Sequence, residues 1–252
     1  MANIQGFDQL NIVSRRSIPY EEYFADMALT KAQKEKRKSL ALILEDVLLI
    51  FFEMYRSSLN MGTLNEVRIK QEFTYQLYDA IENSKEAEKY FESEDQLDKY
   101  VADTVRETYR TTAENLEKFP NDVVPIDGVT EDEVLQDAEE TGTIPADKTE
   151  PYWTSTDRAE FIAENESNTL LNSAEFVEAK ESGKTYKIWM SYGDDRVRLT
   201  HQIVDGAKVP IGTYFDVGRA RMLYPKDVTS ELSTGAECPE EVIGCRCSIR
   251  YV

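Results

Sequence analysis

The chain has 252 residues, enough for one large or two modest domains, and its 41 % hydrophobic and 31 % charged residues make a globular composition. With 48 Asp and Glu against 29 Lys and Arg, the net charge is −19, which repels nucleic-acid phosphates and argues against direct DNA binding as the main task. A basic partner or a crowded assembly fits that charge better. The N-terminus lacks a basic segment leading into an apolar run, so no secretory signal is expected, and the three cysteines are expected as reduced thiols without a disulfide framework.

Residues 1–20 have no clear periodicity and include the basic pair Arg15-Arg16. From Glu21 to Ser58 neither Gly nor Pro interrupts. After the basic run Lys34-Glu35-Lys36-Arg37-Lys38, the residues Leu40, Ile43, Leu44, Val47, Leu48, Phe51 and Met54 recur at three and four, as on one face of a helix. Leu42, Leu49, Ile50 and Phe52 widen this stripe to more than one side. The run from Leu40 to Phe52 contains Glu45 and Asp46 and is shorter than the roughly 20 apolar residues a membrane span needs. Its apolar excess makes Leu49 and Phe52 the candidates for partner contact. A second helix is predicted over about 64–84, with Val67, Phe73, Leu77, Tyr78 and Ile81 on its apolar face. A third is capped by Ser93, carries Glu94 and Asp95 in its first turn, and runs through Leu97, Tyr100, Val101, Val105 and Tyr109 to about Lys118. Sequential helices with short connections predict an antiparallel helical domain over 1–120.

Residues 121–147 carry nine acids and no Lys or Arg, with Pro125, Gly128, Gly142 and Pro145, and 121–150 reads as an exposed acidic linker with a short helix around Glu131 to Glu140. A second domain is expected over 151–252. Asp157 and Glu160 suggest a capping box that opens a helix at about Arg158, and Gly183 ends that helix or a following one. Tyr186, Ile188, Trp189 and Met190 favour a strand within Lys184 to Tyr192, and further short strands fit Thr213 to Val217 and Cys247 to Val252. Trp153 and Trp189 read as core. The fold class is α+β: an N-terminal helical bundle followed by a small C-terminal α+β domain.

That second domain holds every soft ligand of the chain: His201, Cys238, Cys245 and Cys247. They make an adequate Cys₃His set for zinc, and on a strand Cys245 and Cys247 would point to the same face. The competing reading has the thiols as small buried hydrophobes and His201 hydrogen-bonded to Asp194 or Asp205. Arg196 and Arg198 would share one strand face and pair with carboxylates such as Asp194 and Asp205, and Asp205-Gly206 marks a hairpin turn. A catalytic reading takes Cys245 or Cys247 with His201 and Asp194, or a zinc ion with Glu240 or Glu241 as base; no Gly-rich phosphate loop and no Gly-x-Ser-x-Gly accompanies them.

Arg158-Ala159-Glu160-Phe161-Ile162-Ala163 with Glu166, then Trp189, Asp194, Arg196, Arg198 and His201, then Asp205-Gly206, Pro210, Phe215, Pro225 and Cys245-Arg246-Cys247, follow one another in an order that resembles the phage Mu F-like head morphogenesis domain over about residues 152–252. One departure is that the family's opening helix often reads Ala-Arg-Thr-Glu where this chain has Ala163-Glu164-Asn165-Glu166. The resemblance implies a structural minor head protein with no enzymatic activity. It would associate in several copies with the phage portal protein and capsid components, and assist head morphogenesis or genome packaging and ejection. It would be assembled in the host cytoplasm and reside in the virion head or neck, with no membrane partner. Asp194, Arg196, Arg198, Asp205, Gly206 and Arg246 form the structural motif the resemblance implies. Some relatives carry a toxin or enzyme after the Cys-Arg-Cys; Cys247 lies five residues before the C-terminus, so none is expected here. The alternative from another class is a zinc- or thiol-dependent hydrolase, such as a head-maturation protease, using His201 and Cys245 or Cys247. A third, an acidic decoy for a DNA-binding host protein, is disfavoured because the acids gather in a Pro- and Gly-bearing segment.

Overall fold

The computed structural model describes residues 11–12, 20, 24, 29–84, 91, 93–126 and 128–252. Arg15-Arg16 and most of the first residues of the uninterrupted stretch that begins at Glu21 lie outside the described residues. Two compact units emerge. The first is built from Glu45–Ile81 and Ser93–Ile162, and the second from Ala163–Val252 together with the described residues of Ile18–Leu44 and Glu82–Glu92.

Three helices dominate the first unit: α1 (Lys31–Asn60, whose second half belongs here), α2 (Glu66–Asn83) and α3 (Glu94–Lys118). The apolar spacing read from the sequence packs in part: Phe73, Leu77 and Ile81 are buried as expected, whereas Val67 is exposed and Ile69 takes the inward place. Ile69, Phe73, Leu77 and Ile81 of α2 recur every fourth residue and are buried, as are Val101, Val105 and Tyr109 of α3. Phe51 of α1 stacks on Phe73 with ring centroids 4.5 Å apart, and Tyr55 meets the edge of Tyr109 at 5.6 Å. Ser93 caps α3 as expected, its hydroxyl accepting from the amide of Gln96. Phe52 is fully buried beside Phe51, which overturns its assignment as a partner-contact residue; Leu49 is half-buried. Of the residues that widen the stripe only Phe52 is fully buried; Leu42 and Ile50 are exposed, at 45 % and 41 %.

The acidic stretch is also a correction, because it folds. Strand β1 (Asn11–Ile12) pairs in parallel with β2 (Asp122–Pro125), and β2 pairs antiparallel with β3 (Thr149–Pro151), Val124 opposite Glu150. Between them lies α4 (Glu131–Thr141), close to the short helix expected there. Thr130 and Glu133 form a reciprocal capping box at its start, and Gly142 ends it in the left-handed region at φ 76°. Val123, Val134, Ala138 and Ile144 close into a small core beneath it. Glu131, Asp132, Glu133, Glu139 and Glu140 stand exposed on α4, so the density of acids there reports exposure of one face and not absence of structure.

In the second unit, α5 (Thr156–Glu181, entered from the first unit) leads into a three-stranded antiparallel sheet ordered β5-β4-β8. Its strands are β4 (Tyr186–Met190), β5 (Lys208–Pro210) and β8 (Ser248–Tyr251), with Trp189 opposite Ile249 and Lys187 opposite Val209. The cap of α5 is Ser155, whose hydroxyl accepts from the Arg158 amide; the expected cap, Asp157, sits inside the first turn. A hairpin of β6 (Phe215–Val217) and β7 (Ala220–Met222) covers the sheet's core, in which Trp189 is completely enclosed with Phe215, Met222, Cys238, Cys245, Cys247 and Ile249. Two short helices complete it, α6 (Leu199–Val204) and α7 (Pro239–Val242). The molecule is α+β, with helices preceding small sheets of short strands. No described helix is long and apolar enough to cross a membrane.

Candidate functional site

The second unit gathers its chemistry in the connection between β4 and β5 and in the chain that precedes β8. After β4 the backbone leaves the sheet, so Arg196 and Arg198 do not share a strand face. Asp194 accepts from the Arg196 amide at 3.2 Å and from Arg246 Nη2, whose two contacts with its carboxylate are each 2.7 Å. Arg198 is the residue before α6 and donates to the Ile243 carbonyl at 2.5 Å. The six residues of α6 then present His201 inward. Asp205-Gly206 is not a hairpin turn. Asp205 follows α6 and accepts from the Ser191 amide at 2.6 Å, while Gly206, at φ 72°, donates to the Trp189 carbonyl at 2.8 Å and returns the chain to the sheet.

Cys245-Arg246-Cys247 lies just before β8 and not within it, yet both sulfurs face the same place. The main chain there is held by one face of α5. Asn168 Nδ2 donates to the Cys245 carbonyl at 3.0 Å, Asn172 Nδ2 donates to that of Cys247 at 3.4 Å, and the Gly244 amide donates to Asn165 Oδ1 at 2.9 Å. The side-chain oxygens of Asn168 and Asn172 accept in turn from Arg37, which is wholly buried and pairs with Glu175 at 2.7 Å. Asn165, Asn168 and Asn172 stand at i, i+3 and i+7, so they line one helix face. The spacing of these amides stands in the sequence, though asparagine is a mostly exposed residue type and the spacing does not by itself announce burial; Arg37 stands within a run of solvated charges.

His201, Cys245 and Cys247 are each at most 2 % exposed, and one ligand atom from each lies within 4.8 Å of the others. His201 Nδ1 is 3.3 Å from Cys247 Sγ and 3.5 Å from Cys245 Sγ. The other ring nitrogen, Nε2, is 3.1 Å from Glu241 Oε2, which also accepts from Thr200 Oγ1 at 2.8 Å. So the partner of His201 is Glu241, not Asp194 or Asp205, both of which are engaged elsewhere. Glu240, the other acid considered as a base, pairs with Arg219. Cys238 is buried in the same core but stands outside the three-residue group. Trp189 meets the His201 ring edge-on at 5.8 Å and walls the site on the sheet side.

The electrostatics follow from these contacts. The hydrogen bond with Cys247 holds Cys245 well below the ordinary thiol range against the opposing burial, and His201 adds to the effect. The same bond and burial push Cys247 well above that range. Burial works against a charge on His201, but its hydrogen bond to Cys245 and the charge there outweigh it and raise its pKa. Of the two thiols, Cys245 is the one whose surroundings favour the thiolate. The group is reached from outside through a small polar depression lined by Tyr192, Arg196, Arg198 and Arg246 as well as by His201 and both cysteines. Such a group can hold a soft metal ion or carry a charged thiolate.

No curated protein and no solved structure matches the chain. The family model described as Phage Mu protein F like protein matches residues 71–250, so the likeness begins inside α2, well ahead of the residues 152–252 that carry the motif order. Because that match spans well over half of the chain, from the helices of the first unit to the last strand of the second, the protein belongs to the Phage Mu protein F like family.

Proposed function

We propose that this chain is a minor head protein that docks on the phage portal or the adjoining capsid and assists head morphogenesis, or genome packaging and ejection, without turnover. The observation that carries this reading is membership of a family of phage head proteins over residues 71–250. The net charge of −19 supports partners of protein rather than nucleic acid, since like charges would repel the packaged genome.

The docking surface moves from the buried Phe52 to the corner where α1 gives way to α2. Leu59, Met61, Leu64 and Val67 are all left to solvent there, Met61 at 66 % and Val67 at 65 % exposure. Four large apolar side chains within nine residues are a concentration that a chain this acidic has little reason to display except to a partner. The test is copurification of the full chain with its own phage's portal protein. Met61→Asp with Val67→Asp is expected to keep the helical circular dichroism and to reduce portal capture at least tenfold. Undiminished capture by that folded variant would remove this corner as the surface, and failure of the unaltered chain to bind portal or capsid would remove the docking reading.

A further inference from the structure

We infer that His201, Cys245 and Cys247 form a three-ligand zinc site whose fourth coordination position opens into the depression beside Arg246. The inference stands on the geometry of these residues and does not depend on the head-assembly reading.

Distance is the first argument. A tetrahedral zinc ion with Zn–S of about 2.3 Å and Zn–N of about 2.0–2.1 Å separates the nitrogen from each sulfur by about 3.5–3.6 Å. His201 Nδ1 stands 3.3 Å from one sulfur and 3.5 Å from the other, so an ion can enter with shifts of a few tenths of an ångström. One ring nitrogen has one proton or one lone pair, and therefore makes one well-directed hydrogen bond. Here it faces two sulfurs at once, and an ion shared by the three atoms uses all of them.

The surroundings supply what metal sites need beyond their ligands. Glu241 Oε2 lies 3.1 Å from His201 Nε2 and is itself fixed by Thr200, so with the Nε2 proton held there, Nδ1 is the ring nitrogen that would give its lone pair to an ion, its own proton being released on binding. Asn168 and Asn172 hold the carbonyls of both cysteines, so the pair is positioned before any ion arrives. Two sulfurs and one imidazole nitrogen form a donor set suited to zinc and unsuited to hard cations.

The fourth position is the informative one. Structural zinc sites are closed by four protein ligands, whereas sites with three keep a place for solvent or an incoming group. Cys238 does not join the group, and the side of the cluster that remains uncovered is the water-sized depression. Arg246 lines the same depression, and its Nη1 is buried with no hydrogen-bond partner among the described residues, while its Nη2 is committed to Asp194. A metal-bound water or carboxylate oxygen would receive that donor.

The experiment uses the full chain, purified without chelator and analysed for metal by elemental mass spectrometry. It is then stripped and titrated with cobalt(II) as a spectroscopic probe, with zinc in competition. Expected are one zinc per chain, and a cobalt form showing sulfur-to-metal charge transfer and the visible bands of tetrahedral coordination, both abolished by stoichiometric zinc. Cys238→Ser is expected to keep the full signal, while Cys245→Ser and Cys247→Ser lose it. Glu241→Gln is expected to keep the stoichiometry and weaken affinity by about 10–100-fold. Absence of both zinc and the cobalt spectrum in the unaltered chain would overturn the site whatever the variants do. A folded Cys238→Ser chain that loses the metal would overturn the three-ligand set.

Discussion

At the scale of single residues, the second unit is organised by polar groups that are buried and satisfied, and Arg37 is the clearest of them. Its Nε and Nη2 donate to Asn168 and Asn172, and Nη1 and Nη2 contact both oxygens of Glu175 at 2.7 and 3.1 Å. The guanidinium fork suits this arrangement, and a lysine could not reproduce it. Removing one partner of such a pair leaves the other as an uncompensated charge. Arg37→Met is therefore expected to lower stability by about 3–5 kcal/mol, with much of the loss recovered in the double variant Arg37→Met, Glu175→Met. Urea unfolding of the unaltered chain and of both variants checks this. Equal midpoints for the unaltered and single-variant chains would mean that the pair is not held from water in solution. Nothing in the sequence signals this role, because Arg37 stands among Lys34, Lys36 and Lys38, and only the turn of the helix separates the one inward position from its solvated neighbours.

At the scale of elements, periodicity was a dependable guide and local geometry was not. The helices of the first unit and the strand bearing Trp189 follow from apolar spacing, since that spacing is itself the record of which face is covered. On a strand Cys245 and Cys247 would share a face, and a strand was expected from Cys247; the strand begins at Ser248, and the two sulfurs converge in the chain just before it. The link between β6 and β7 shows a constraint that no periodicity records. Gly218 and Arg219 form a two-residue hairpin loop, with Gly218 at φ 58° and Val217 paired to Ala220. Among the described non-glycine residues only Lys226 has positive φ, so the turn has the type II′ pattern, with glycine first. A Cβ on Gly218 would stand 2.0 Å from Glu241 Oε1 and 2.9 Å from the Thr200 methyl. Gly218→Ala is thus expected to do two things. The left-handed backbone costs about 1–2 kcal/mol, which lowers the urea midpoint. The displaced Glu241 releases His201, which weakens metal binding in the manner of Glu241→Gln. A chain carrying Gly218→Ala with unchanged midpoint and unchanged cobalt affinity would show that the carboxylate does not sit against this turn.

At the scale of the whole molecule, the sequence yielded the order of classes, helices and then a small mixed domain, but misread the acidic stretch between them. Pro, Gly and nine acids suggested a spacer, while Val123, Val134, Ala138 and Ile144 were too few and too scattered to announce the core they form. The family likeness likewise reaches back to residue 71, into helices whose apolar stripes carry no motif. What composition alone does report is the net charge of −19, and it has a consequence for the folded chain as a body. Many described ion pairs lie on exposed helix faces, such as Lys70 with Glu66 and Arg106 with Asp103, and pairs of that kind contribute little. The surplus of acids over bases repels itself most strongly in the compact state. Raising ionic strength from about 0.01 M to about 0.15 M shortens the screening length from about 30 Å to about 8 Å. That removes more repulsion than attraction when 48 acids face 29 bases. The urea midpoint is therefore expected to rise with sodium chloride over this range. Arg37→Met is expected to leave that slope unchanged, because its ion pair is buried and poorly screened. A midpoint that falls with salt would mean that local pairing outweighs the surplus, and that acids placed beside bases on the folded surface, more than their total, set the stability of this head protein.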